Sequence, residues 1–532
     1  MGIYVNPPAD GFEEILKGGL YVDKTGLIEY MNGVMGTARK LTCFSRPRRF
    51  GKSFAAKMLA AYYSRGAEAK ALFENLEIAK APDFEENLNQ YDVLFLDITS
   101  FLTMSGSVQE VVKELQSEVI AELKRLFPDL IEEKNRYLMK ALMQIHAGTG
   151  RKFFVIIDEW DALFREAQKD EAVQKEYIQF LRSLFKSSLT AQVIAGAYMT
   201  GILPIKKYGT QSALTDFKEY TMLEPGPLAE FAGFTEAEVR HLCASHNLDF
   251  AQVSRWYDGY QFESIGHVYS PNSIIEAVYN QSISNYWTQT ETYESLRIYI
   301  DLNYDGLKDA VINLIGGQRC RIDAGSFQND MTSFKSRDDV FTLLVHLGYL
   351  AYDKEKKEVL IPNEEVRGEF VRAVKNGKRR ELVKAVELSD QLLKATIDGE
   401  EEMVAHLLEE AHLANTSPKF YNNEQALRSV VLMAYLSCMD HYRRFEEIAG
   451  GKGYLDMLFL PDRDSSKPAL LIELKWDKSA EEALSQIKNN RYQTAAKQYG
   501  YQGEILLVGI NYNTKTKQQS RIVAMSFCEP RS

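Results

Sequence analysis

The chain has 532 residues, 45% of them hydrophobic and 26% charged, and a formal net charge of −11 at pH 7. A chain of this length builds about three or four domains whose cores need no disulfide or metal staple. The acidic balance excludes a protein that coats nucleic acid with uniform basic charge, so any contact with nucleic acid must be local.

At the N-terminus, MGIYVNPPADGFEEIL has no basic segment followed by an apolar run, so no secretory signal is read there. No apolar stretch along the chain approaches the roughly 18 residues that would span a membrane. The five cysteines, at 43, 243, 320, 438 and 528, lack the close spacing of a zinc or redox motif. They read as reduced thiols. The expected location is cytoplasmic, with no membrane partner.

The first half alternates short apolar runs with helical stretches. KLTCFS (40–45) precedes a helix from Lys52, VLFLDI (93–98) precedes helical residues 107–126, and KFFVIID (152–158) precedes helical residues 169–189. AQVIAGAYMTG (191–201) follows. This alternation predicts a parallel sheet covered by helices on both faces. From about 225 to 365 the chain is richer in Tyr, Trp and polar residues, and 338–362 reads as a helix and a hairpin, like a winged helix. Residues 366–415 read as a charged helical connector, and NTSPKFYNNE (415–424) as a boundary. Beyond it come a helix through EQALRSVVLMAYLSCMDHY, a short strand near 443–447, YLDMLFL (454–460), ALLIELK (469–475), a helix over 479–499, and EILLVGI (504–510). That order is α-β-β-β-α-β, with RIVAMSF (521–527) as a further strand.

SRPRRFGKSF (45–54) lies between a predicted strand and a predicted helix. Gly51, Lys52 and Ser53 end it as a phosphate-binding loop ends: a glycine for close backbone approach, a lysine for the β/γ-phosphates, a hydroxyl for Mg²⁺. Arg46 stands where the general pattern has glycine, and Arg48 and Arg49 add cations that can neutralise phosphate charge. FFVIIDEWD (153–161) supplies the second half. Asp158, at a strand end, would hold Mg²⁺, and Glu159 would polarise the attacking water. Each signal alone also fits an ordinary strand end or helix start. Thr200, ending the next strand, is equally a γ-phosphate sensor or a turn cap.

YVDKTGLI (21–28), RPRRFGKS (46–53), IIDEWD (156–161), MTGI (199–202) and WYDGY (256–260) together resemble the bacterial AAA-ATPase-like family over roughly residues 5–280. The RPRRFGKS form of the loop is usual there. The resemblance implies ATP binding. WYDGY is assigned to a lid beside the ATPase core with no catalytic role. Asp23 and Lys24 are further candidates for the nucleotide pocket.

The second chemistry lies near the C-terminus. Asp456 sits in one apolar strand, and Glu473 and Lys475 share a face of the next. Apolar strands rarely carry a carboxylate and an ammonium together unless they are paired or used. Asp456 and Glu473 suit Mg²⁺ as hard oxygen ligands, with Lys475 positioning water or neutralising charge. The plain alternative is a surface hairpin with an ion pair. Gly453 would let the chain turn tightly before Asp456. Arg443, Arg444, Lys452, Lys488 and Arg491 are candidates for a phosphate track, each more readily a solvated surface charge.

This arrangement resembles the PD-(D/E)XK nuclease superfamily over about residues 425–525. The resemblance implies a Mg²⁺-dependent site, with Glu447 as the first acidic ligand and Gln486 and Tyr492 as supporting residues on the following helix. The expected fold is α/β: an N-terminal P-loop NTPase parallel sheet (1–224), a helical lid and winged-helix-like region (225–365), a helical connector (366–423) and a restriction-endonuclease-like domain (424–532). The expected function is ATP binding and hydrolysis coupled to a nuclease acting on nucleic acid, DNA for preference, with ATP and Mg²⁺ as cofactors and the oligomeric state open. The competing reading is a nucleotide-dependent switch whose C-terminal domain binds nucleic acid without cutting it.

Overall fold

The computed structural model describes residues 2–186, 188–205, 207–208, 211–212, 214–287, 293–302, 304–328, 334–376, 380–415, 427–428, 430–431, 434–435, 438, 442–450, 453–461, 467–492, 496–497, 499, 501–513 and 521–528. Most of the helix expected over 424–442, the boundary after Asn415, and Lys452 lie outside them. The chain packs as two compact units, one of Met1–Tyr286 with Arg321–Asn363, the other of Trp287–Cys320 with Glu364–Ser532.

The first unit is built on five parallel strands: β1 (Leu41–Ser45), β2 (Asp92–Asp97), β3 (Phe153–Asp158), β4 (Ile194–Gly201) and β5 (Lys218–Tyr220), in the order β2-β3-β4-β1-β5. β1, β3 and β4 are buried throughout, as strands covered on both faces must be. Their apolar runs are therefore continuous, not alternating. The 191–201 run divides: Thr190–Val193 is a short helix and the strand starts at Ile194. Helix α1 (Lys52–Tyr63) leaves the end of β1 and buries Ala56, Leu59, Tyr62 and Tyr63.

Beyond the sheet, Phe234–Thr235 and the hairpin of β6 (Tyr260–Phe262) and β7 (Gly266–Tyr269) form a small three-stranded sheet. WYDGY leads into β6. Tyr260 Oη donates to the Gly348 carbonyl, just after helix α2 (Arg337–Leu347), which precedes the hairpin strands Ala351–Asp353 and Glu358–Leu360. Gly259 has φ +118°, and a Cβ there would lie 1.9 Å from the Pro362 carbonyl oxygen. No other residue fits, so the glycine in WYDGY is a packing requirement. Gly259→Ala is expected to destabilise this unit by about 3 kcal/mol or more, backbone strain and steric clash adding. Urea unfolding followed by tryptophan fluorescence would read it, and a loss under about 1 kcal/mol would show that the contact relaxes.

The second unit carries a mixed five-stranded sheet: β8 (Tyr442–Gly450), β9 (Gly453–Pro461), β10 (Ala469–Trp476), β11 (Ile505–Tyr512) and β12 (Arg521–Cys528), in sequential order. All neighbours are antiparallel except β10 and β11, which are parallel and connected through helix α3 (Ala480–Asn489). Ser479 caps α3 by accepting from the Glu482 N–H. One face of the sheet, with Leu471, Ile505 and Leu507, packs on Ile487 of α3 and on Tyr492. The other, with Ile472, Leu474, Val508 and Ile510, packs on Leu392, Leu393, Val404, Leu407 and Leu408. The stretch expected as a connector thus covers a sheet face, because its helices Arg380–Ile397 and Glu401–Asn415 carry apolar stripes that need burial. Gly453 opens β9 and pairs with Gly450, the last residue of β8, only three positions earlier in the chain; a Cβ on Gly453 would also sit 2.6 Å from Tyr492 Oη, so the approach of that phenol favours glycine as well.

Candidate functional sites

In the first unit, the strand ends of β1, β3 and β4 bring the predicted phosphate-site residues together. Gly51 is the left-handed N-cap of α1, at φ 88°, so the loop enters the helix with its first amides unpaired by the helix itself. Lys52 is 3% exposed, its Nζ donates to the Pro47 carbonyl at 2.9 Å and stands 3.6 Å from Glu159 Oε1. Burial lowers its pKa, opposed by the carboxylates of Glu159, Asp158 and Asp161. Ser53 hydrogen-bonds the Asp158 carboxylate, whose pKa is pushed up to about 6, chiefly by burial and further by Glu159. Thr200 is fully buried in β4 beside β1, and its Oγ1 has no partner among the described residues. Arg48 and Arg49 are exposed on the loop, and Arg49 Nη1 donates to Asn272 Oδ1 at 3.0 Å.

Three features escape a linear reading. Arg46 does not face the loop's solvent side. Its guanidinium is fully buried over the rings of Phe44 (4.5 Å) and Phe262 (5.2 Å), and Nη1 donates to the Ser45 carbonyl. Burial lowers its pKa to about 9, and burial together with Arg46 lowers that of His346 to about 3. The cation–π contacts supply part of what a counter-ion would. Arg165 bonds Glu159 Oε2 and lies 3.5 Å from Asp161 Oδ2, while Asp161 also accepts from the Ile202 and Leu203 N–H groups. The i,i+4 spacing of Asp161 and Arg165 was the available signal. Asp23 and Lys24 are used internally: Asp23 accepts from Thr25 and Glu77, and Lys24 pairs with Glu238 at 2.6 Å.

In the second unit, strand register aligns the acidic positions. The β8–β9 pairs Glu446↔Met457 and Ile448↔Leu455 flank Glu447 and Asp456, which therefore stand opposite each other. Asp456 and Glu473 lie one step beyond the pair Met457↔Ile472 of β9–β10. Asp456 Oδ2 accepts the Leu474 N–H at 2.8 Å, and the Asp456 N–H donates to the Glu473 carboxylate. Lys475 Nζ donates to Glu473 Oε1 at 2.9 Å and to the Leu474 carbonyl at 3.0 Å. Glu473 and Lys475 are 2% and 8% exposed. Burial first, then the Asp456 charge, raises the Glu473 carboxyl to about 7, while Lys475 pulls the other way. The Glu447 and Arg443 side chains lie outside the described residues. Gln486 Nε2 donates to Tyr492 Oη at 3.4 Å, and Asn490 Nδ2 donates to the same oxygen at 2.9 Å. Both residues lie on the sheet face that carries Glu473 and Lys475.

The donor set fits a hard divalent cation. Glu473 Oε2 is buried without a partner among the described residues, and Asp456 offers a second carboxylate beside it. Two carboxylates make an open site, and no group of three or more His, Cys, Asp or Glu side chains suited to a metal converges among the described residues. In the first unit, the Ser53 hydroxyl and Asp158 carboxylate fit the Mg²⁺ of a bound nucleotide.

Comparison with known proteins agrees with this division. Residues 9–210 match the family model described as a predicted AAA-ATPase, and residues 422–521 match the PD-(D/E)XK nuclease superfamily. An Azotobacter chroococcum mcd 1 protein, named only as an uncharacterized protein in the vnfD 5' region, is 26% identical over 285 residues, 51% of each chain. The chain thus spans about half the length of that curated relative. Among solved structures, the Walker-type ATPase of Pyrococcus abyssi is similar at 13% identity and TM-score 0.34, over 65% of this chain and 94% of that one. The Aeropyrum pernix ORC2 protein, solved as ADPNP–ADP complexes, is similar at 12% identity and TM-score 0.31, over 70% and 98%. The chain carries an AAA-ATPase-like domain followed by a domain of the PD-(D/E)XK nuclease superfamily.

Proposed function

We propose that this protein binds and hydrolyses ATP in its N-terminal domain and, with Mg²⁺, cleaves phosphodiester bonds in nucleic acid, DNA for preference, in its C-terminal domain. The observation that carries the nuclease half is the convergence of Asp456, Glu473 and Lys475 on adjacent strands, with one buried Glu473 oxygen left without a partner among the described residues. Asp456 and Glu473 are the proposed metal ligands, joined by Glu447 on the register of β8. A divalent ion bound there supplies Lewis acidity and a water ionised near neutral pH. Lys475, held by Glu473 and the Leu474 carbonyl, orients that water and offsets charge developing on the phosphate. Gln486 and Tyr492 support this face of the sheet.

At the nucleotide site, the amides after Gly51 and the Lys52 ammonium take the phosphates, and Arg48 and Arg49 add charge at the loop. Lys52 exchanges its Pro47 carbonyl for phosphate oxygens. Ser53 and Asp158 hold Mg²⁺, Glu159 orients the attacking water, and Thr200 contacts the γ-phosphate. The functional division proposed is 1–224, 225–365, 366–423 and 424–532. A cytoplasmic setting is supported by Cys43, Cys243, Cys320 and Cys438, none of which forms a disulfide among the described residues. No helix among the described residues is long and apolar enough to cross a membrane.

Nucleotide state is proposed to control cleavage. The test incubates the full chain with Mg²⁺ or Mn²⁺, with and without ATP, on single- and double-stranded DNA and RNA. Divalent-dependent cutting that responds to ATP is expected, and Lys52→Ala should remove the ATP response. Absence of cutting on every substrate would leave only a binding or switch role. An ATP response that survives Lys52→Ala would end the proposed coupling.

A further inference from the structure

Asn511 belongs to no motif singled out in the sequence, yet it is fully buried in β11 directly opposite Lys475 of β10. In-register neighbours on parallel strands share a face and lie about 4.8 Å apart. The Asn511 side chain thus shares the face of Glu473 and Lys475. Its Oδ1 accepts the Lys478 N–H at 3.0 Å. A backbone N–H can only donate, so this bond fixes which end of the amide is oxygen. The other end, Nδ2, is buried with no partner among the described residues.

A buried donor without an acceptor costs about as much as a lost hydrogen bond, and such a group calls for an explanation. The same face holds a complementary group, Glu473 Oε2, a buried carboxylate oxygen with no hydrogen-bond partner among the described residues. An amide donor and a carboxylate acceptor left unmated in one region mark a place built for a third party. That party must accept a hydrogen bond from Asn511 while Glu473 faces positive charge. A phosphate oxygen beside a metal ion meets both demands.

We infer that Asn511 is a substrate-binding residue of the nuclease site, its Nδ2 donating to a non-bridging oxygen of the nucleic-acid phosphate. The inference rests on the nuclease reading above and adds a residue to that site. Lys475 supplies charge to the phosphate, and Asn511 supplies a directional neutral donor. The bond from Oδ1 to Lys478 holds that donor in place at the start of α3.

The test uses the full chain. Asn511→Ala is expected to lower cleavage about 10- to 100-fold, the usual effect of removing one hydrogen bond to a charged group. It is also expected to weaken binding of a short fluorescent DNA, read by anisotropy in Ca²⁺ without turnover. Asn511→Ala also removes the bond to Lys478, and thermal unfolding reads how far that weakens the fold; Asn511→Asp keeps the Oδ1 acceptor and removes the amide donor, so it should lose binding while retaining the Lys478 bond. Single phosphorothioates at the cut site supply the chemical partner: one stereoisomer should impair the wild-type chain more than Asn511→Ala. Equal thio effects in both proteins, with DNA binding unchanged in either variant, would overturn the inference and leave Nδ2 to a buried water. If Lys475→Ala cuts as well as the wild type, the nuclease reading itself has failed. If Lys475→Ala is inactive while Asn511→Ala matches the wild type, only the role of Asn511 is lost.

Discussion

Lys475→Ala is expected to lower divalent-dependent cleavage about 1,000-fold while leaving ATP binding unchanged. A preorganised donor aimed at developing charge in a water-poor site contributes on the order of 10² to 10³ in rate. Lys475 meets that description: it is buried, and its ammonium is held by Glu473 Oε1 and the Leu474 carbonyl. Its loss also leaves the Glu473 carboxylate without the ammonium that opposes burial and the Asp456 charge. Lys475→Arg keeps the charge but replaces a compact ammonium with a planar fork, so only partial recovery is expected. Cleavage is measured on the preferred substrate, with ATP binding and thermal unfolding as controls for the rest of the chain. Activity of the alanine variant within about tenfold of the wild type would place the chemistry elsewhere.

The second large effect is a linkage between pH, metal and stability at Glu473. Its carboxyl is raised from 4.5 to about 7 by burial and by Asp456. The fold therefore favours the protonated acid. Its contribution to stability is fully present below pH 4.5 and is lost as pH rises through about 7. For a shift of this size the full change is about 3 kcal/mol. A divalent ion needs the ionised carboxylate, so metal affinity should climb with pH and level off above that window. Metal-free protein should therefore lose stability between pH 4.5 and 7, and Mg²⁺ or Mn²⁺ should raise its unfolding temperature by several degrees at pH 8 but little at pH 5. Glu473→Gln keeps the shape without the charge. It should be the more stable protein at pH 8 without metal and should show a smaller metal-induced shift. Asp158, raised to about 6, titrates in the same range, and comparison with the glutamine variant separates the two. Identical pH slopes in wild type and Glu473→Gln would refute the linkage.

The candidate sites were legible to different degrees. The loop around Lys52 and the end of β3 were readable because a parallel sheet places phosphate chemistry at strand C-termini, and apolar runs announce where strands end. Arg46 was not: sequence shows a cation in a loop of cations, whereas the fold buries it between Phe44 and Phe262, the latter more than 200 residues away in the chain. Gly453 was read as the glycine that lets the chain turn before Asp456; the approach of the Tyr492 phenol to the same residue was not legible, because it comes from the turn after helix α3.

Alternation, spacing and residue chemistry by themselves determined the α/β class, the positions of the two candidate sites and the pairing of Glu473 with Lys475, because those properties depend on residues near one another in the chain. Tertiary structure alone decided the order β2-β3-β4-β1-β5, the packing of helices 380–415 on the second sheet, and the arrival of Asn511 beside Lys475. Those outcomes depend on which strands become neighbours, and a buried strand has the same apolar pattern whichever neighbour it takes.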